Sequence, residues 1–225
     1  LSDAFGKMGI QMQTPLRRMQ YWDAMDTYGT DKPDTRFGME LHDVSNIFQD
    51  SSFKLFSGAA HTDGQYVKAI NAHGAGSWPR SQIDKLGEVA AGFGAKGLAW
   101  IAYREDGSVG GPIAKFFSVD ELDALRTEME AQPGDLILFA VGARLETDEI
   151  LGGMRLHMAR VLEVPREGHD FLWVVNFPLF HWDEETQSYA SEHMPFTQPN
   201  EDQIDLLDTD PLSIGSHTYD FVMDG

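Results

Sequence analysis

The sequence predicts an α+β fold, a layer pair with a mainly antiparallel sheet, and three observations predict it. Short apolar runs with strand character recur through the middle of the chain, set apart by glycine turns. Two amphipathic stretches with helical spacing interrupt them, giving the order ββ-α-ββ-α-β. Hydrophobic residues make up 42% and aromatic residues 11% of the 225, enough to build a real core.

Three regions differ in texture. Residues 1–41 have an irregular lead through Pro15, a short helical pattern at Tyr21-Trp22-Asp23-Ala24-Met25, and then a polar turn from Tyr28 to Phe37. In that turn Gly29 and Pro33 punctuate the backbone, and Asp31 and Asp34 can close Asx turns.

Residues 42–144 carry the predicted sheet. Phe53-Lys54-Leu55-Phe56 and Tyr66-Val67-Lys68-Ala69-Ile70 alternate like half-buried strands around the turn Thr62-Asp63-Gly64. Ser81 is expected to cap a helix running to about Phe93, with Ile83, Leu86, Val89 and Ala90 on one face and Gly94 ending it. Strands are expected over 98–103 and 113–117, joined by turns through Gly107, Gly110 and Gly111. A second helix starts at Ser118 with the stripe Leu122, Leu125 and Met129. Pro133-Gly134 turns into a last strand over 136–141.

Residues 145–225 open with a helix over about 147–162, its stripe being Ile150, Met154, Met158 and Val161. Strands are expected over 171–177 and 179–182, with a solvated hairpin tip at Glu184-Glu185. Tyr189 to His193 forms the return strand. A short acidic helix over 200–207 and a strand near 219–223 complete the order.

Composition excludes several functions. With no cysteine there are no disulfides, thiolate metal sites or cysteine nucleophiles, which fits a reducing cytoplasm. No apolar run approaches the ~20 residues that cross a bilayer. The start Leu1-Ser2-Asp3-Ala4-Phe5-Gly6-Lys7 is no signal peptide and reads as a cut end. The formal net charge of −19 repels phosphate backbones, so any main grip on nucleic acid is expected elsewhere. Gly74-Ala75-Gly76 lacks the spacing of a phosphate loop. The eight histidines show no metal-binding spacing. Trp100, Phe116 and Phe117 read as core rather than base-stacking residues.

Several blocks carry a family resemblance. Gln82-Ile83-Asp84, Gly94-Ala95-Lys96-Gly97-Leu98-Ala99-Trp100-Ile101, Gly111-Pro112-Ile113-Ala114-Lys115-Phe116 and Pro133-Gly134-Asp135-Leu136-Ile137-Leu138-Phe139 resemble the GAD domain. That domain is shared by amidotransferase B subunits and aspartyl-tRNA synthetases. Arg18-Met19 and Tyr28-Gly29-Thr30-Asp31-Lys32-Pro33-Asp34 resemble the segment after class II motif 2 of the bacterial-type aspartyl-tRNA synthetases. Leu172-Trp173-Val174-Val175-Asn176-Phe177-Pro178 and His193-Met194-Pro195-Phe196-Thr197 resemble the return into their catalytic domain. The flanks favour the synthetase over the amidotransferase subunit, which would share only the middle.

The resemblance implies a central fragment: a GAD-type two-layer domain, an antiparallel sheet with two helices, over residues 42–144. Flanking segments 1–41 and 145–225 belong to an antiparallel-sheet catalytic domain. It implies ligation of aspartate to tRNA, with ATP and Mg²⁺ used by the parent enzyme and neither held by this piece alone. It also implies a homodimeric parent, with the piece itself able to be monomeric. Motifs 1, 2 and 3, which carry the ATP-gripping arginines and the dimer contact, are not in this sequence. The piece is therefore expected to catalyse no ATP–pyrophosphate exchange by itself. The alternative is a non-catalytic GAD interaction module that contacts a partner domain or the tRNA acceptor end.

One substrate contact is implied. His193 matches the first histidine of the family's His-His-Pro-Phe-Thr block and is expected to touch bound aspartate. Read without the resemblance, a lone histidine beside an apolar strand is a structural residue. Met194 stands where the second histidine is usual, and a thioether cannot donate a hydrogen bond. Asn176 replaces the usual aspartate, losing a charge and keeping the shape. Asp31, Lys32 and Asp34 read as a hydrogen-bonded turn with surface ion pairs and are left out of the site. No catalytic or metal-ligating residue is assigned.

Overall fold

The computed structural model describes residues 2–183, 185–194 and 196–225. In chain order its elements are α1 (Ser2–Lys7), β1 (Arg17–Gln20), α2 (Tyr21–Tyr28), β2 (His42–Asp43), α3 (Lys54–Ala60) and β3 (Gln65–Ala72). There follow α4 (Arg80–Asp84), α5 (Leu86–Ala91), β4 (Ala99–Tyr103), β5 (Val109–Gly110), α6 (Val119–Glu128), β6 (Leu136–Ala143) and α7 (Arg144–Val161). The last strands are β7 (Phe171–Val175), β8 (Phe180–Asp183), β9 (Ser188–Ser191) and β10 (Tyr219–Met223), with a 3₁₀ helix at Glu201–Asp208. Glu184 of the expected hairpin tip and Pro195 of the His193 block lie outside the described residues.

The chain divides into two compact units. One takes in residues up to Ala24, Asp31–Arg36 and Glu167–Gly225; the other takes in Met25–Thr30 and Phe37–Arg166. By compactness α7 goes with the second unit, whereas residues from 145 onward were expected with the return segment.

The second unit is built on a five-stranded antiparallel sheet in the order β2-β3-β6-β4-β5. The α+β class holds, and the layer count exceeds the two expected, because both sheet faces are covered. One face packs Ile70, Trp100, Leu136 and Leu138 against Ile83, Leu86, Ile150, Met154 and Met158 of α4, α5 and α7. The other packs Val67, Ile101, Ile137 and Phe139 against Phe56 of α3 and Leu125 of α6. A strand buried on both sides needs no alternation, and β6 reads as the near-continuous run Leu-Ile-Leu-Phe-Ala.

Three sequence-based expectations change. Phe53 to Phe56 was expected as a strand, but Lys54–Ala60 is helical: Phe56 and Ala59 are buried at helical spacing while Leu55 is 57% exposed. Four residues are too few to separate the two periods. Ile113 to Phe117 is a 3₁₀ turn over Ala114–Phe116, burying Ile113 and Phe117 and leaving Phe116 partly outside. Ser81 caps nothing; the helix starts at Arg80 after Pro79 and breaks between α4 and α5. The cap at Ser118 is present as a full capping box with Glu121. Strand β1, between the irregular lead through Pro15 and the helical pattern that starts at Tyr21, was not anticipated.

One buried ionic cluster interrupts the apolar packing of the second unit. Lys68 of β3 donates to Asp148 of α7 at 2.5 Å and to Asp26 of α2 at 2.9 Å, and Arg144 of α7 also grips Asp26. Burial pushes the Asp148 carboxyl up to about 6, against the pull of the Lys68 ammonium, and Asp26 adds repulsion. Asp148 Oδ2 is buried with no hydrogen-bond partner among the described residues, a natural seat for a proton. Asp26 is held below the ordinary value: burial acts to raise it, and Arg144 and Lys68 together outweigh burial.

The two carboxyls act on stability in opposite directions. The contribution of Asp148 is complete below the ordinary aspartate value of 3.8 and is lost as pH rises through about 6. That of Asp26 is present above 3.8 and is lost as pH falls through its lowered folded value. Asp148→Asn is therefore expected to flatten the decline in stability between about pH 4 and 6.5 while leaving the acid limb in place. Urea unfolding at half-unit pH steps measures this, and an unchanged slope in that window would refute the assignment.

Candidate functional site

The first unit presents its chemistry on one face of the sheet β1-β7-β10. Strand β1 runs parallel to β7, with Arg18 opposite Trp173, and β10 runs antiparallel to it, with Phe221 opposite Trp173. Alternation along β7 decides what each residue does. Leu172 and Val174 are buried on one side, 1% and 0% exposed. Phe171, Trp173 and Val175 point the other way. At one end of that face Phe5 of α1 packs edge-on against Phe171, with ring centroids 5.1 Å apart. Beyond it, Trp173 meets Tyr219 and Phe221 edge-on at 5.4 and 5.3 Å.

A cleft of about 620 Å³ opens beside Trp173, lined by Arg18, Val175, Asn176, Asn200, His217 and Tyr219 among others. Its polar wall is held by chain segments far apart in sequence. Asn176 adopts a left-handed backbone, φ 61°, which turns the chain out of β7. Its Oδ1 accepts from Asn200 Nδ2 at 2.6 Å, and Asn200 Nδ2 also reaches Gln203 Oε1 at 3.1 Å. Gln203 Oε1 accepts from the Gly215 amide at 2.8 Å. Gly215 is a fitted residue: a Cβ there would strike Asn176 Oδ1 and stand 2.7 Å from Asn200 Nδ2. Buried Ser216 donates to the Phe177 carbonyl at 2.9 Å and fixes the neighbouring turn.

The cationic groups of this unit fall into two sets. Arg36 makes a two-pronged pair with Asp34, both distances 2.9 Å, and lies 3.5 Å from Asp224. Lys32 bonds Asp31 at 2.8 Å and stands 3.5 Å from Asp220. Arg17 reaches Asp170 at 3.0 Å. The residues Asp31, Lys32 and Asp34 are thus engaged in local ion pairs and an Asx turn, as the residues alone suggested. Arg18 is different. It is exposed, lines the cleft, and has no ion pair or hydrogen bond among the described residues. A free guanidinium beside an indole, a phenol, paired amides and an imidazole suits a ligand with an anionic group and a flat or apolar part.

His193 stands in a bend after β9, exposed, with its ring edge-on to Phe177 at 5.0 Å. It is two residues past the end of the strand expected to carry it. Phe177 in turn packs on Tyr21 at 4.9 Å. The imidazole has no hydrogen bond among the described residues and is not among those lining the cleft. Met194 and Phe196 beside it are 58% and 81% exposed. The cleft residues Asn200, Ser216 and His217 were missed by sequence reasoning, since nothing in their spacing marks them. Arg18 and Trp173 entered only as parts of matching blocks. An arginine inside a short run next to apolar residues was the one available signal.

Among the described residues no group of three or more His, Asp or Glu converges to hold a metal ion, and no helix is long and apolar enough to cross a membrane.

Residues 56–151 match the family model described as GAD domain. The chain is 45% identical over 219 residues to an aspartate–tRNA(Asp/Asn) ligase of Lachnoclostridium phytofermentans, which covers 97% of this chain and 36% of that protein. It is 43% identical to an aspartate–tRNA ligase of Agathobacter rectalis over the same shares. It is 45% identical to an aspartate–tRNA(Asp/Asn) ligase of Halothermothrix orenii, over 98% of this chain and 37% of that one. The chain therefore spans little more than a third of the length of these curated relatives.

Proposed function

From a chain that carries a GAD domain and is homologous along nearly its whole length to the aspartate–tRNA ligases, we infer that it is a piece of such a ligase. The parent protein activates aspartate with ATP and transfers it to tRNA. The observation that carries this reading is the extent of the relationship, about 45% identity over 97% of the chain, well beyond the GAD residues on both sides. A protein sharing only the GAD domain would match the middle alone.

The reaction makes modest demands on side chains. The aspartate carboxylate is already ionised, so its attack on the α-phosphate needs positioning and charge neutralisation more than a base. In this reading Arg18 offers an uncompensated positive charge at the cleft, and His193 offers an exposed imidazole that contacts the aspartate. The parent's Mg²⁺ finds no cluster of carboxylates among the described residues here, so no step is assigned to it in this piece. Homodimerisation belongs to the parent. The cytoplasm, where tRNA is charged for translation, suits a chain without cysteine.

In the ligase containing this chain, His193→Ala is expected to raise KM for aspartate roughly tenfold or more, as the loss of one hydrogen bond to a charged substrate does. KM for ATP should change little. ATP–pyrophosphate exchange against aspartate concentration measures both, and an unmoved KM for aspartate would remove His193 from the site.

A further inference from the structure

The sheet of the second unit has an opening in its middle. Strand β6 pairs with β3 along its whole length, Leu136 to Ala143. On its other side it pairs with β4 only from Leu136 to Phe139, where Ala99 begins that strand. Beyond Phe139 the far edge of β6 has no neighbour strand among the described residues.

The backbone groups facing that opening can be identified. The Val44 amide donates to the Val67 carbonyl at 2.9 Å, so Val67 directs its polar groups toward β2. Val141 stands opposite Val67 and therefore faces away from β3, into the opening. Ala143, two residues on, faces the same way. Neither the N–H and C=O of Val141 nor the N–H of Ala143 has a partner among the described residues.

The opening is also a groove. About 940 Å³ of space lies over Phe139–Gly142, walled on one side by Lys54, Leu55 and Gly58 of α3 and on the other by Glu146 and Ile150 of α7. Gly97 and Leu98, just before β4, close one end. Leu55 is 57% exposed at its lip. An added strand would have helices on both faces, so its alternate side chains would each meet a wall.

Charge selects among occupants. The ionisable residues lining the groove are Lys54, Lys96 and Glu146, a net positive set on a chain of 36 acidic and 17 basic residues. Lys96 is 93% exposed and only 3.8 Å from Glu146, so most of its charge faces solvent. A second copy of a chain carrying −19 is disfavoured by repulsion.

We propose that this opening is a docking slot for an extended acidic peptide segment. The segment adds as a short strand in line with β4 and hydrogen-bonds to Val141 and Ala143. Backbone pairing supplies the grip, and Lys54 and Lys96 select acidic side chains.

The test uses the full 225-residue chain and a labelled six-residue peptide alternating glutamate and valine, followed by fluorescence anisotropy. Binding is expected, with slowed hydrogen exchange at the Val141 and Ala143 amides. Methylating alternate peptide nitrogens, which removes strand donors, should weaken binding roughly tenfold or more. Lys54→Glu with Lys96→Glu, both exposed and outside the core, should also weaken it about tenfold without moving the melting temperature. Four outcomes overturn the proposal. They are no binding at millimolar peptide, equal binding of the methylated peptide, equal binding of a lysine–valine peptide, or self-association that slows the same amides without peptide.

Discussion

Gly152→Ala is expected to destabilise the second unit by about 3 kcal/mol or more, although helix propensity favours alanine by up to about 1 kcal/mol. Gly152 sits inside α7, where its backbone lies against Gly29, just past α2. A Cβ added there would strike the Gly29 carbonyl oxygen and lie 2.8 Å from its carbon and 2.9 Å from its Cα. Seen from the other side, a Cβ on Gly29 would stand 2.6 Å from Gly152 Cα. Both surfaces are backbone, so no rotamer can relieve the clash. Gly29 also holds φ 69°, a conformation that resists replacement there too. The neighbouring Gly153→Ala provides the control. The atoms nearest its Cβ would be those of the Phe93 ring, a side chain that is 42% exposed and can swing aside. That variant is expected within about 1 kcal/mol of the parent. Urea unfolding of the two variants should separate them clearly, and equal midpoints would mean the close approach of Gly29 and Gly152 is not rigid.

Arg155→Met is expected to cost about 3–5 kcal/mol. The side chain is fully buried, the bulkiest of the fully buried residues. It donates to the carbonyls of Phe37, Gly38 and Met39 at 2.8, 3.0 and 3.2 Å. Its guanidinium lies 3.9 Å from the Phe37 ring centre and 4.9 Å from that of Tyr28. Among the described residues no strand pairs with the segment from Phe37 to Met39, and the arginine satisfies its carbonyls from α7. Methionine fills similar volume and leaves these carbonyls without that donor, those of buried Phe37 and Met39 at the greatest cost. Arg155→Lys keeps the charge but cannot span the three acceptors with a planar fork, so an intermediate loss is expected. Denaturant unfolding gives the magnitude. Limited proteolysis near Phe37 should show the segment loosening first, and a protected segment in Arg155→Met would contradict its role as the tie.

Much of this architecture was legible in the sequence, for reasons visible in particular residues. The runs at Leu98–Tyr103 and Leu136–Val141 are β-rich, bounded by glycine and proline, and both are strands. The stripe from Ile150 to Val161 is long enough to fix helical period, and α7 follows it. What escaped was short or non-local. The four residues from Phe53 to Phe56 fit either period. Strand β1 owes its existence to pairing with β7, about 150 residues later, and its own residues Arg17-Arg18-Met19-Gln20 carry little strand preference. The second covered face of the sheet was hidden because burial on both sides erases the alternation that sequence reading relies on. For the site, a matching block located His193, but the cleft is assembled from Arg18, Asn176, Asn200 and His217, which only the fold brings together.

The first unit is interrupted in sequence: its segments end at Ala24, resume at Asp31–Arg36, and resume again at Glu167. Strand β1 leaves the ribosome long before β7, the partner it needs. At roughly 5–20 residues per second, the interval is on the order of ten to thirty seconds. The intervening unit, complete by Arg166, has time to fold within that wait. A slow-folding lesion there, such as one at Gly152, would overlap in time with the wait of β1 for β7 in the first unit. Its first symptom in a growing cell would then be a nascent chain held by chaperones.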